Sequence, residues 1–503
     1  MGILDKLKDK MSTSSSSTHN AQSVMSSSQH TPRLGPESIF RYRKQLGVNL
    51  GSWFVLEKWI TPGPFRNAAS PGESDLDIAK GQEAKEIFER HWDEFITEDD
   101  WKWIKEHGFN SVRLPIAYYH LCSVLPDVLK DTDFEPHRNV FEGAWQRIQR
   151  AIETAGSHGL GVLVDLHAAA GAQNADDHSG TSFHKPRLFD KKANIRSTNL
   201  ALTFLASQFA AVPHVIGLEL LNEPARGENR LQGFYEETIR DIQKTIGPDF
   251  PIYVHDSWDT PHYAPWTGDR QGFVVLDHHL YRCFAGPDSQ FDGDTTARNL
   301  HGDFANQFDG WYKQAKGNLV VGEWSGALKW DVIGHLPDQE RDRHQRVWVQ
   351  AQLELYKRSS AGWWFWCLKK SEGWDSSWSA KDEVQAEIMP RYIGLGRFKG
   401  PPPGHVKDQQ LQDAHNSHTS YWQANGGSPN PAVFAPGFSQ GWDDALLFLG
   451  AQDGPSEMGF VSQWAGRRKQ EYESQHEALG KAAWEWEHGF NQGVQAAKAV
   501  CLE

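Results

Sequence analysis

Eight short apolar runs constrain this 503-residue chain more than any other feature. They are GVNLG (47–51), NSVRLP (110–115), GVLVDLH (161–167), IGLELLNEP (216–224), PIYVHDS (251–257), FVVLDHHLY (273–281), NLVVGEWS (318–325) and AGWWFWCLK (361–369). Each is continuous rather than alternating, the pattern of strands buried on both faces of a parallel sheet. Helical patterns lie between several of them. In TEDDWKWIKEHGFN, Thr97 stands as N-cap with Asp100 three residues on, and Gly108 closes the helix. Trp145, Ile148, Ile152 and Ala155 recur at helical spacing and form one face of a helix that feeds the third run. Eight strands with helical crossovers predict an α/β fold, a (β/α)8 TIM barrel with long loops. The competing architecture is an open doubly wound sheet. It calls for a glycine-rich phosphate turn after the first strand, whereas GVNLGSWFVLE continues into bulky side chains.

Texture sets the boundaries. Residues 1–40 read as a disordered tail, because their Ser-, Thr-, Gln- and His-rich stretch lacks the apolar periodicity needed to offset ordering entropy. The barrel spans 41–398. From 399 a linker, KGPPPGHVKDQQ, leads into a small helical extension reaching 503, read as a structural cap. Three pieces of that extension open with Gly-Phe: 437–450, 459–472 and 489–500. The start carries charges without a following apolar segment, so it does not read as a secretory signal. Gly2 is followed by Lys6 where a myristoylation site needs Ser or Thr. No run is apolar for long enough to span a bilayer. The expected address is the cytoplasm. A formal net charge of −14 argues against nucleic acid as a partner. Cys122, Cys283, Cys367 and Cys501 form no CxxC pair and read as reduced thiols, although two disulfides stay open. The chain has 22 Trp against 5 Met, a balance that suits either core filling or stacking on sugar faces.

In such a barrel the reactive groups stand at the C-terminal ends of strands. Those ends supply Arg113, His167, Asn222 and Glu223, Asp256, the set His278, His279 and Tyr281, then Glu323 and Trp366. Two glutamates ending the fourth and seventh runs can converge on one mouth. Paired carboxylates serve metal binding, proton abstraction or glycoside hydrolysis. A metal site could draw on His279, Asp256 and His167, but no HExxH or closely spaced donor set supports it, and no metal or other cofactor is expected. Glycoside hydrolysis needs one carboxyl protonated and one ionised. Arg113 and Tyr281 can hold Glu323 ionised, Asn222 can reach a sugar 2-OH, and Trp366 can stack beneath the ring.

GVNLGSWFVLEKWITP, RLPIAYYHL, DLHAAAGAQN, LNEP, DHHLY, GEWSGAL and GWWFWCLKK together resemble glycoside hydrolase family 5, closest to its fungal exo-β-1,3-glucanase branch, over roughly residues 45–395. The resemblance implies a retaining β-glucosidase or exo-β-glucanase with Glu223 as acid/base and Glu323 as nucleophile. It places Arg113, His167, Asn222, His279, Tyr281 and Trp366 around the reacting sugar and adds Glu57 as a grip on the terminal glucose. The same resemblance implies a clamp of two phenylalanines on the leaving group. Phe284 keeps one place and Asp176 occupies the other. The extension has no counterpart in the secreted members. The expected substrate is β-1,3-glucan. The alternatives are a glucosylated lipid or small β-glucoside, or a non-catalytic glucan-binding scaffold.

Overall fold

In a computed structural model of the protein, residues 34–284 and 287–503 are described. Eight parallel strands close into a barrel in chain order. They are β1 (Gln45–Asn49), β2 (Ser111–Ala117), β3 (Gly161–Ala168), β4 (Val215–Glu219), β5 (Ile252–His255), β6 (Val274–Leu280), β7 (Leu319–Trp324) and β8 (Gly362–Phe365). The last pairs back on the first, Val48 opposite Phe365, which excludes the open sheet. The crossovers run through α1 (Glu98–Glu106), α2 (Ala144–Ser157), α3 (Lys192–Phe209), α4 (Leu231–Ile246), α5 (Thr260–Gly268), α6 (Ala305–Gln314) and α7 (Asp338–Ser359). At the start of α1 the Thr97 N–H donates to Asp100 Oδ2 at 2.8 Å, closing the expected capping box. Trp145, Ile148, Ile152 and Ala155 are the buried face of α2.

Side chains alternate along a strand, so inward residues recur every second position. Along β3 the inward series is Leu163, Asp165, His167, and along β6 it is Val275, Asp277, His279; all six are buried. Both strands therefore run from an apolar floor through an acid to an imidazole at the mouth. The floor joins one apolar cluster with the extension, in which Leu163, Tyr253, Val275, Val320 and Trp364 meet Phe438, Trp442, Phe460 and Trp464. The extension thus plugs the end of the barrel opposite the C-terminal strand ends. Its helices are α8 (Gly404–Ala424), α9 (Pro431–Leu449), α10 (Val461–Gln475) and α11 (Ala483–Cys501). Among the Gly-Phe pieces, the first and third pair with each other. Gly437 and Gly441 on α9 lie against the backbone of Trp486 and Phe490, and Gly489 and Gly493 on α11 lie against Phe434 and Phe438. The second piece joins the barrel instead, with the Gly459 N–H donating to the Tyr42 carbonyl at 2.9 Å. A polar clasp backs this seam: Asp453 accepts from Lys105 and pairs with the buried Arg43.

One expectation needs correction. The tail was read as reaching residue 40, yet Leu34, Ile39 and Tyr42 are buried in the same cluster, and the Leu34 N–H donates to Glu471 Oε1 at 2.8 Å. Glu471 against Leu34, and Phe273 and Trp464 against Tyr42, all lie more than 200 residues away, so no local pattern announces them. The rest of that reading falls outside the described residues. Trp442, Trp464 and Trp486 are buried as a cap requires, but Trp484 is 42% exposed. The four cysteines are free thiols. No helix of the described residues is long and apolar enough to cross a membrane.

Candidate active site

The site is assembled around the Arg113 guanidinium, fully buried at mid-barrel. Its Nε donates to Glu219 Oε2 at 2.7 Å, Nη1 to Asn49 Oδ1 at 3.0 Å and Glu323 Oε1 at 2.9 Å, and Nη2 to Asn222 Oδ1 at 2.8 Å. Asp165 Oδ2 lies 3.1 Å from Nη2. A buried cation satisfied on every side is expensive to disturb, since removing a partner leaves a charge without compensation. The planar guanidinium, with Nη1 on Glu323 and Nη2 on Asn222, also fixes these two residues relative to one another. Asn222 Nδ2 is buried without a protein partner and stays available to a ligand.

Glu323 is the penultimate residue of β7 and also accepts from the Tyr281 hydroxyl, at 2.9 Å on Oε2. Glu223 stands four residues beyond β4, not at its end as the sequence run suggested. Its backbone is in the left-handed region (φ 45°) and its carbonyl accepts from Asn174 Nδ2 at 3.0 Å. A non-glycine residue held there stores strain, and such positions cluster at functional sites. His279 Nδ1 lies 2.6 Å from Glu223 Oε1 and 3.4 Å from Glu323 Oε2, so these two carboxylate oxygens are at most 6.0 Å apart. Burial alone would raise the Glu223 carboxyl, but the hydrogen bond and charge of His279 outweigh it and hold Glu223 low. Burial would likewise lower His279, and the facing charges of Glu323 and Asp277 and the bond to Glu223 raise it well above the usual imidazole range. The Glu223 carboxyl and the His279 imidazole thus form one hydrogen-bonded acid–base pair beside Glu323.

The other expected residues line the same cleft of about 1000 Å³, at the top of the range usual for small-molecule sites. His167 donates or accepts through Nδ1 with Asp165 at 2.6 Å and stacks on Trp366, rings 5.5 Å apart and 7° from parallel. Glu57 takes a hydrogen bond from Trp59 Nε1 at 2.8 Å. Phe284 is 67% exposed and packs on Tyr281 and Trp378 at 5.5 and 5.7 Å. Asp176 is exposed on the cleft wall, its N–H donating to Asn174 Oδ1 at 2.9 Å. The metal alternative named His279, His167 and Asp256. Donor sets do meet here, such as Glu219, Asp277 and His279, but the Arg113 cation already neutralises Glu219 beside them.

Sequence reasoning missed several cleft residues. His178 Nε2 approaches Glu223 Oε2 at 3.6 Å, and facing carboxylates including Glu223, Glu57 and Asp176 raise its imidazole against the opposing effect of burial. It sits in DDHSG, which reads as a solvated turn. Trp59, Trp258, Trp311 and Trp378 also line the cleft from loops and a crossover helix, where the Trp excess was visible but the positions were not.

Burial pushes two carboxyls near the mouth up to about 7: Glu57, and Asp75, which accepts from the Tyr119 hydroxyl at 2.6 Å and the Leu56 N–H at 3.1 Å. A carboxyl raised on folding stabilises the protein below its unfolded value, and that contribution is lost as pH rises through about 7. The melting temperature should therefore fall between roughly pH 4 and 7. Asp75→Asn should flatten that slope. An unchanged slope in the variant rules Asp75 out as its source.

Residues 78–372 match the cellulase family (glycosyl hydrolase family 5), and residues 404–501 match the C-terminal domain of glucan 1,3-beta-glucosidase 3. The chain belongs to glycosyl hydrolase family 5 and is a glycosidase. Glucan 1,3-beta-glucosidase 3 of Schizosaccharomyces pombe is 31% identical over 91% of this chain and 96% of its own length. A probable glucan 1,3-beta-glucosidase A of Neosartorya fischeri is 33% identical but covers 65% of this chain and 84% of its own. Among solved structures, rutinosidase from Aspergillus niger shares the fold at a TM-score of 0.56, with 17% identity over 69% of this chain and 98% of that one.

Proposed function

We propose that this glycosidase releases glucose from the non-reducing ends of β-1,3-glucan by double displacement, with Glu323 as nucleophile and Glu223 as acid/base. The carrying observation is the approach of both carboxylates to His279 Nδ1, which bounds the nearest oxygens at 6.0 Å. Retaining glycosidases hold their carboxyls about 5–5.5 Å apart, whereas inverting ones need about 6.5–9.5 Å to admit a water between. The names of the relatives point to the β-1,3 linkage. Arg113 and Tyr281 keep the nucleophile ionised and aimed, and Asn222 Nδ2 is placed to bond the sugar hydroxyl next to the reacting carbon. Trp366, held flat by His167, offers the ring platform. Glu223 protonates the departing oxygen with the proton its pair with His279 retains, then takes one from the water that cleaves the glycosyl ester.

Proton NMR of aryl β-glucoside hydrolysis should show β-glucose as the first anomer, turning into the α form only by mutarotation. Initial α-glucose overturns the double displacement. Absence of hydrolysis of β-1,3-linked glucose, with turnover of another β-glucoside, overturns the linkage alone.

A further inference from the structure

Beyond Glu223 the cleft continues into a second lobe at the ends of β5 and β6, lined by Trp258, Thr260, His278, Phe304 and Trp311. Its side of the site follows from the chemistry. Glu57 and Trp366 stand with the nucleophile at the β1 and β8 side, so the ring that becomes the glycosyl ester lies there. The group protonated by Glu223 leaves on the β4–β6 side, where this lobe opens. Its walls are largely aromatic. Trp258 is 39% exposed, and Phe304 and Trp311 pack at 5.9 Å.

One polar group is built into this aromatic surface with care. Asp256 is fully buried and accepts three hydrogen bonds: from Thr260 Oγ1 at 2.6 Å, from the Trp258 N–H at 2.8 Å and from His278 Nδ1 at 2.7 Å. Committing Nδ1–H to a carboxylate fixes the imidazole tautomer and leaves Nε2 as an acceptor. His278 is 9% exposed, its ring held against Phe308 and Trp311 at 6.0 and 6.1 Å. The same carboxylate pins Trp258, which follows Ser257 in the left-handed region (φ 57° and 50°). A single buried acid thus sets both an aromatic face and an oriented hydrogen-bond acceptor on the leaving-group side.

We propose that His278, oriented by Asp256, binds a hydroxyl of the leaving sugar through Nε2 and so selects for a carbohydrate leaving group. This rests on the assignment of Glu223 and Glu323 above. His278 touches the departing half of the substrate and none of the reacting atoms. Its loss should therefore be felt only when that half is a sugar.

The test compares laminaribiose, whose leaving group is glucose, with β-glucosyl fluoride, whose leaving group does not reach the lobe. In purified full-length enzyme, His278→Gln should lower kcat/KM on laminaribiose by about tenfold while fluoride turnover stays within about twofold, the signature of one lost polar contact to the leaving group. Thr260→Val, which removes a bond that fixes Asp256, should give a smaller loss with the same selectivity, and it guards against a His278 variant that fails to fold. Equal losses on both substrates would assign His278 a structural role, and no loss on either would remove it from the subsite; both results overturn the proposal. Failure of the underlying assignment looks different: the wild-type enzyme would hydrolyse neither substrate, or Glu323→Ala would still hydrolyse the fluoride.

Discussion

Glu323→Ala should lower turnover of an aryl β-glucoside on the order of 10⁴-fold or more, because it removes the atom that bonds to the sugar rather than one that assists. The fold should survive, since Arg113 keeps Asp165, Glu219, Asn49 and Asn222 as partners. The space vacated lies on the α face of a bound β-glucoside. Added azide should enter it and displace an activated leaving group directly, giving α-glucosyl azide. Glu223→Ala should behave otherwise. With a dinitrophenyl leaving group that needs no protonation, the glycosyl ester still forms on Glu323 and its hydrolysis becomes slow, so KM falls along with kcat. Azide then attacks from the opposite face and gives β-glucosyl azide. The two products separate nucleophile from acid/base without reliance on rate. The reverse pairing of variant and anomer would exchange the two roles.

The barrel was legible because burial on both faces writes a continuous apolar run for each strand, and nothing else in the chain imitates eight of them. Exact ends were not. The first run suggested 47–51, while β1 is Gln45–Asn49, since Gln45 packs inside the barrel as a polar residue whose amide donates to the carbonyls of Phe40 and Arg43. The two glutamates were legible because each follows an apolar run in the correct order around the ring. The residues that adjust them were not. His178 belongs to a polar loop, and its approach to Glu223 depends on Asn174 anchoring the Glu223 backbone. The division of labour between His278 and His279, adjacent in sequence, follows from strand alternation: His279 faces Glu223 and Glu323, and His278 faces Asp256. The docking of Leu34 and Tyr42 and the pairing of α9 with α11 are contacts of long sequence separation, which no window of local pattern contains.

That helix pair carries the second large effect expected, on stability rather than chemistry. Gly441 faces α11 so closely that a Cβ would overlap the Phe490 carbonyl oxygen, and backbone cannot yield as a flexible side chain can. Gly441→Val must therefore drive α9 and α11 apart. The side chains those helices carry, Phe438, Trp442, Trp486 and Phe490, share their cluster with the barrel floor at Val275, Val320 and Trp364. Separation would expose both surfaces together, so the damage cannot stay within the extension. Overpacking of this kind, compounded by lost burial, should cost about 3 kcal/mol or more. The protein should melt well below the wild type or be recovered insoluble, as should a chain lacking residues 404–503. Gly466, in α10, supplies the control, because a Cβ there meets nothing within 4 Å. Gly466→Ala should raise stability by about 0.5–1 kcal/mol through helix propensity alone. If Gly441→Val melts with the wild type, the two helices are not locked by their glycines. If the truncated chain is soluble and hydrolyses laminaribiose at the wild-type rate, the floor of the barrel closes without the extension.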